Sequence, residues 1–252
     1  GGQHAQAHAF LPLSYVTPPC SLAACQPVDG LQALPRSLPT VTPGCGCPMT
    51  QDVAANATPT GVLERAPLPQ SSEVLLLVDF INPLNFPGAR SLLPGAWEAA
   101  QRAARLKQRL ARKGVAVIYA NDNYGTWHSD FRDILQACCA LKGRRGDISR
   151  LLAPKPCDLT VLKPQHSAFH ATPLQHVLSA MGTRKLVIAG LAADMCVLLT
   201  ATDARMAGYD VWVPQDCTAA ESAVRKSRAL DQLRDVFKCS VRPSVRPGVR
   251  SS

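Results

Sequence analysis

Lys185-Leu186-Val187-Ile188-Ala189-Gly190-Leu191-Ala192-Ala193-Asp194-Met195-Cys196-Val197-Leu198-Leu199-Thr200-Ala201-Thr202-Asp203-Ala204-Arg205-Met206-Ala207 is the stretch from which the fold can be read. A short apolar run rich in β-branched residues ends at a glycine, and an alanine-rich segment with helical spacing follows within a few positions. The reading is a buried strand that opens directly into a helix. Cys196 falls where that helix starts, near unpaired N–H groups and a partial positive charge that favour thiolate over thiol and can bind an oxyanion. Cysteine is also among the most buried residue types, so packing is the competing explanation for this position taken alone.

Outward from this unit the texture repeats from residue 73 onward. Apolar strands are expected over 74–78 and 115–119, with a helix over 97–113 between them, entered after Pro94-Gly95 and closed by Gly114. A helix over 131–141, a strand over 159–162 and a helix over 173–181 that ends at Gly182 precede the opening stretch. After Gly208 come a strand over 209–213, a helix over 222–237 and a short edge strand over 239–241, cut off by Pro243. Strands alternating with helices predict an α/β fold: a three-layer α-β-α sandwich with a mainly parallel five- or six-stranded sheet.

Residues 1–70 differ in kind. They hold 11 of the 21 prolines and no sustained apolar periodicity, so they read as an irregular or disordered Pro-rich leader before a domain over 71–243 and a basic tail over 244–252. The cysteines of this leader, Cys20, Cys25, Cys45 and Cys47, match no standard zinc spacing. The net charge of +9 arises after the leader, which carries two arginines against three acidic residues. Basic residues at 102–113, 142–145 and 242–250 read as solvated helix faces, a loop and a tail; without aromatic interleaving they do not predict a nucleic-acid partner. Apolar runs fall well short of the roughly 20 residues of a membrane span. Residues 1–8 have neither a basic nor an apolar signal region, and the ten cysteines do not form the framework of a short secreted chain, so a cytoplasmic location is the expectation.

In open parallel sheets, ligands sit beyond the carboxyl ends of the strands. The first strand ends in Asp79, with no helix close enough downstream for it to cap. The third ends in Lys163, which by itself would be an ordinary snorkelling lysine. Together with Cys196 they supply a carboxylate to take a thiol proton, an ammonium to stabilise charge and a sulfur to attack, which is a complete set for acyl transfer.

Leu77-Val78-Asp79-Phe80-Ile81-Asn82, Lys163-Pro164-Gln165-His166-Ser167-Ala168-Phe169, the turn over 190–197 and Thr200-Ala201-Thr202-Asp203-Ala204 resemble, in that order, the isochorismatase-like cysteine hydrolases, which include nicotinamidases and related amidases. The resemblance spans about residues 73–240. It implies Asp79 as general base in both acylation and the later attack of water, Lys163 as charge stabiliser and Cys196 as nucleophile. It also implies a cis peptide between Leu191 and Ala192, an oxyanion hole from the N–H groups of Ala192 and Cys196, and a homo-oligomer. The reaction implied is hydrolysis of a C–N bond in a small amide or related substrate, without a cofactor.

Two departures stand out. Many members have threonine where this chain has Ala193. Nicotinamidases carry an aspartate-histidine metal site after the second strand, whereas Asp122 and His128 here do not make a three-ligand set, so no metal is expected. Asn123, Trp127, His166 and Phe169 are candidate substrate-pocket residues, and Cys138, Cys139, Cys157, Cys217 and Cys239 read as structural. The alternatives are a non-catalytic binding module on the same fold and an isochorismate-type vinyl ether hydrolase, whose chemistry does not need a thiol.

Overall fold

A computed structural model describes residues 67–125, 127 and 130–245. The leader up to residue 66, His128 and the tail beyond residue 245 lie outside the described residues.

Six strands form one sheet: β1 Glu73–Val78, β2 Ala116–Asp122, β3 Leu159–Lys163, β4 Lys185–Leu191, β5 Asp210–Trp212 and β6 Thr218–Ala219. Their order is β3-β2-β1-β4-β5, β6 pairs with the end of β4, and every pairing is parallel. Because side chains alternate across a strand, the apolar run of β1 divides between two cores. Leu75 and Leu77 join Val117, Tyr119, Val187 and Ala189 on one face. Val74, Leu76 and Val78 join Ile118, Ala120, Leu186 and Ile188 on the other.

Helices cover both faces. On the first lie α1 (Ala89–Ala111), α2 (Phe131–Ala140) and α3 (Arg144–Leu151); on the second lie α4 (Leu174–Ala180), α5 (Leu198–Met206) and α6 (Ala223–Asp235). This is the three-layer α/β architecture. Ala96, Ala99, Ala100, Ala103, Leu106 and Leu110 give α1 its buried stripe at helical spacing. Asp130 and Asp133 form a reciprocal capping box on α2, and the Ser222 hydroxyl caps α6.

Several local expectations need correction. The first helix begins at Ala89 rather than 97 and carries Pro94 inside it, because buried Leu92 anchors about two extra turns to the core. The basic loop around 142–145 runs into α3, which buries Ile148. The expected edge strand over 239–241 is only a single bridge from Trp212 to Ser240. The two-residue β6 was too short to carry a periodicity.

Chain order reverses direction across the β1–β4 pair, placing the ends of those strands side by side at the switch point of the sheet. Val78 and Gly190 face each other in that pairing. A Cβ added at Gly190 would lie 2.2 Å from the Val78 carbonyl oxygen, so only glycine permits the approach. Gly190→Ala is therefore expected to cost about 1–3 kcal/mol or more, lowering Tm by roughly 2–12 °C in a thermal melt.

Candidate active site

Asp79 follows β1 with a left-handed backbone, φ 51°, a conformation that aspartate tolerates better than branched residues do. Its backbone N–H donates to Ala120, and its Oδ1 accepts the Asp122 N–H at 2.8 Å. Lys163 is the last residue of β3, two strands away, and is fully buried. Neighbouring strands lie about 4.8 Å apart, so a group on β3 must span roughly 10 Å to serve β1. The long lysine side chain does this, bringing Nζ to 2.8 Å from Asp79 Oδ2, 3.9 Å from Asp122 Oδ2 and 3.6 Å from Cys196 Sγ, and donating to the Gln165 carbonyl at 3.2 Å.

Cys196 does not sit on a regular α-helix. The segment Ala193–Val197 is a π-helical turn ahead of α5, and the Ala192 carbonyl accepts from both Met195 and Val197 N–H groups, bracketing the cysteine. Such turns concentrate at functional positions. The Leu191–Ala192 peptide is cis. From the far side, Arg225 of α6 pairs with both Asp194 and Glu221, tying the turn that carries Cys196 to the start of that helix. Ala193 is buried.

The titration behaviour corrects the expectation of a thiolate at a helix start. Burial first, and then the Asp79 charge, push the Cys196 thiol up to about 12, with Lys163 pulling the other way. Burial also raises the Asp79 carboxyl, against the Lys163 ammonium and the hydrogen bonds it accepts. For Lys163, burial acts downward but the charges of Asp79 and Cys196 outweigh it, so the ammonium is held charged. The resting site is thus a neutral thiol beside a strengthened base and a fixed cation.

A thiol held near 12 rather than its ordinary 9 contributes stability that is complete below about pH 9 and is lost as pH rises towards 12. Cys196→Ala should therefore flatten the alkaline fall in unfolding free energy in that window, by up to about 1.4 kcal/mol per pH unit, as measured by urea titration at successive pH values.

Of the pocket candidates, His166 is brought to the site: its Nδ1 lies 3.7 Å from Cys196 Sγ. Asn123 is buried in the loop after β2, where its N–H donates to the Lys163 carbonyl and its Oδ1 accepts from Gly125. Trp127 is 77% exposed, and Phe169 packs against Tyr209 with ring centroids 6.1 Å apart. A hollow of about 230 Å³ lined by Gln165, His166, Ser167, His170, Leu199 and Asp203 adjoins the thiol through His166. A larger cleft of about 490 Å³ lies between α1 and the start of α6, but Asp79, Lys163 and Cys196 do not line it.

Sequence reasoning missed Tyr124 and underrated Asp122. Tyr124 is 40% exposed as a residue, but its hydroxyl donates to the Ile81 carbonyl, and desolvation of that group and then the Asp79 charge suppress its acidity. An aromatic residue in the turn after the strand beside β1 was the available signal. Asp122, considered from the sequence as a metal ligand, accepts the Tyr124 N–H and is also the second carboxylate near Lys163 and the register partner of that residue. Among the described residues, no group of three His, Cys, Asp or Glu side chains could hold a metal ion, and no helix is long and apolar enough to cross a membrane.

Comparison with known proteins gives concordant matches. Residues 73–241 match the Isochorismatase domain. The isochorismatase family protein YaaI of Bacillus subtilis (strain 168) is 34% identical over 168 residues, covering 67% of this chain and 92% of that protein. Maleamate amidohydrolase of Pseudomonas putida is 27% identical over 154 residues, covering 57% and 70%. The crystal structure of N-carbamoylsarcosine amidase from Thermoplasma acidophilum superposes with a TM-score of 0.54 at 25% identity, covering 71% of this chain and 99% of that one.

Proposed function

From the premise that this chain belongs to the isochorismatase domain family of hydrolases, which includes amidase relatives, we propose that it is a cysteine hydrolase of small amides or related C–N compounds. The observation that carries the reading is the convergence of three strand ends on one sulfur, with Lys163 Nζ within 2.8 Å of Asp79 and 3.6 Å of Cys196. The amidase names of two relatives support it.

In the proposed acylation, Asp79 takes the thiol proton as Sγ attacks the substrate carbonyl carbon. Burial makes the carboxyl a stronger base than an exposed aspartate, and Lys163 offsets the charge that moves onto the sulfur. N–H groups of Ala192 and Cys196 hold the developing oxyanion, a role typically worth about 2.7–4 kcal/mol of barrier per donor. The proton on Asp79 passes to the departing nitrogen as the C–N bond breaks, leaving an acyl-enzyme on Cys196 for water to hydrolyse.

Iodoacetamide should label Cys196 ahead of Cys217 at neutral pH, although burial raises both thiols to about 12, because only Cys196 has the Asp79–Lys163 pair beside it. Asp79→Asn should slow that labelling by roughly tenfold or more and leave Cys217 unchanged. Equal reactivity of the two thiols would count against the mechanism. Turnover in a screen of small amides, imides and ureido compounds, abolished by Cys196→Ala, would exclude a non-catalytic module.

A further inference from the structure

We propose that His166 is a catalytic residue of the second half-reaction, accepting the proton of the water that hydrolyses the acyl-enzyme. This rests on the cysteine-hydrolase reading and extends it to a residue outside the Asp79, Lys163 and Cys196 set. The sulfur is approached by two kinds of group. Lys163 and Asp79 are buried, at 0% and 4% exposure, and reach it from the interior of the sheet end. His166 is exposed, lines the 230 Å³ hollow and places Nδ1 3.7 Å from Sγ. Water entering to attack a thioester on Sγ arrives from the side that His166 occupies.

The residues on either side of His166 are anchored. The preceding residue, Gln165, receives the Lys163 ammonium on its carbonyl, and the hydroxyl of the following residue, Ser167, donates to Asp203. A neutral imidazole carries one acceptor and one donor nitrogen, so it can take a proton and return it without rearrangement. Asp79 already receives the Lys163 ammonium on Oδ2 and the Asp122 N–H on Oδ1. The charged and titratable groups around His166 are Cys196, Lys163 and Asp79 inward, and Asp203 and His170 across the hollow.

The step balances as follows. Water oxygen forms a bond to the thioester carbonyl carbon while its proton moves to His166 Nδ1. The C–S bond then breaks, its electron pair returns to sulfur, and the imidazolium gives its proton to Sγ. The products are a carboxylic acid and the free thiol. No other reactant is needed.

The test uses p-nitrophenyl acetate, whose phenolate leaves without protonation, so that the deacylation step can be read by itself. Wild-type protein should release a burst of p-nitrophenolate and then turn over slowly as the acetyl-enzyme is hydrolysed. The acetyl group should appear on tryptic peptide 186–205, whose one cysteine is Cys196. His166→Asn keeps a polar atom near the place of Nδ1 but cannot carry the proton. It should retain the burst, accumulate acetylated 186–205 and turn over about 10²–10⁴-fold more slowly.

Wild-type turnover in His166→Asn, with no accumulation of acetylated 186–205, would overturn the proposal, leaving Asp79 to serve both halves. Loss of the burst in both His166→Asn and His166→Gln, with thermal melts unchanged, would also overturn it, because His166 would then act before the acyl-enzyme. Absence of acetyl on 186–205 in the wild type would instead sink the cysteine-hydrolase reading, and this inference with it.

Discussion

Replacing Cys196 by alanine is expected to lower kcat by at least about 10⁴-fold on any amide that the wild type hydrolyses, because the covalent step disappears and the described site offers no second nucleophile in its place. The fold should persist. Cys196 is buried at the edge of a core cluster, and the Lys163–Asp79 pair at 2.8 Å does not depend on the sulfur. Matched steady-state kinetics and thermal melts of the two proteins check this, with Tm expected to stay within a few degrees. Appreciable hydrolysis by purified Cys196→Ala would show that the sulfur is not the nucleophile.

Lys163→Met should produce the largest loss of stability of any single substitution at the site. The ammonium is fully buried and faces two carboxylates, at 2.8 and 3.9 Å. Removing one partner from a buried ion pair costs about 3–5 kcal/mol, equivalent to roughly 6–20 °C in Tm for a domain of this size. The sign of the pH dependence follows from Asp79. Its carboxyl is already raised by burial, and Lys163 is the main group holding it down, so the variant raises it further. A group whose folded pKa is raised stabilises the fold most when protonated, so the deficit should shrink as pH falls and grow as pH rises. Adding Asp79→Asn to Lys163→Met should recover part of the loss, because the stranded charge is then gone; a double variant no more stable than the single one would refute the ion-pair account.

How much of this was legible beforehand differs by element. The strands of the central sheet announced themselves because parallel strands covered on both faces are apolar without interruption, as in Val74-Leu75-Leu76-Leu77-Val78. The early start of α1 and the existence of α3 did not show, because one buried leucine or isoleucine decides each of them by tertiary contact. The same holds for β6, whose two residues are a strand only because β4 lies beside them.

At the site, the sequence alone determined the identities of Asp79, Lys163 and Cys196 and the strand-end positions of the first two, since a polar residue closing an apolar run is a one-dimensional signal. Only the tertiary structure decided how they interact. It took the β3-β2-β1-β4 order to require a side chain as long as lysine, and burial to turn the expected thiolate into a thiol held near 12. It also put His166 against the sulfur while Phe169, three residues on, turned to Tyr209. Distance between strands and exclusion of water belong to the folded arrangement, and they set the chemistry available to residues that the sequence can only name.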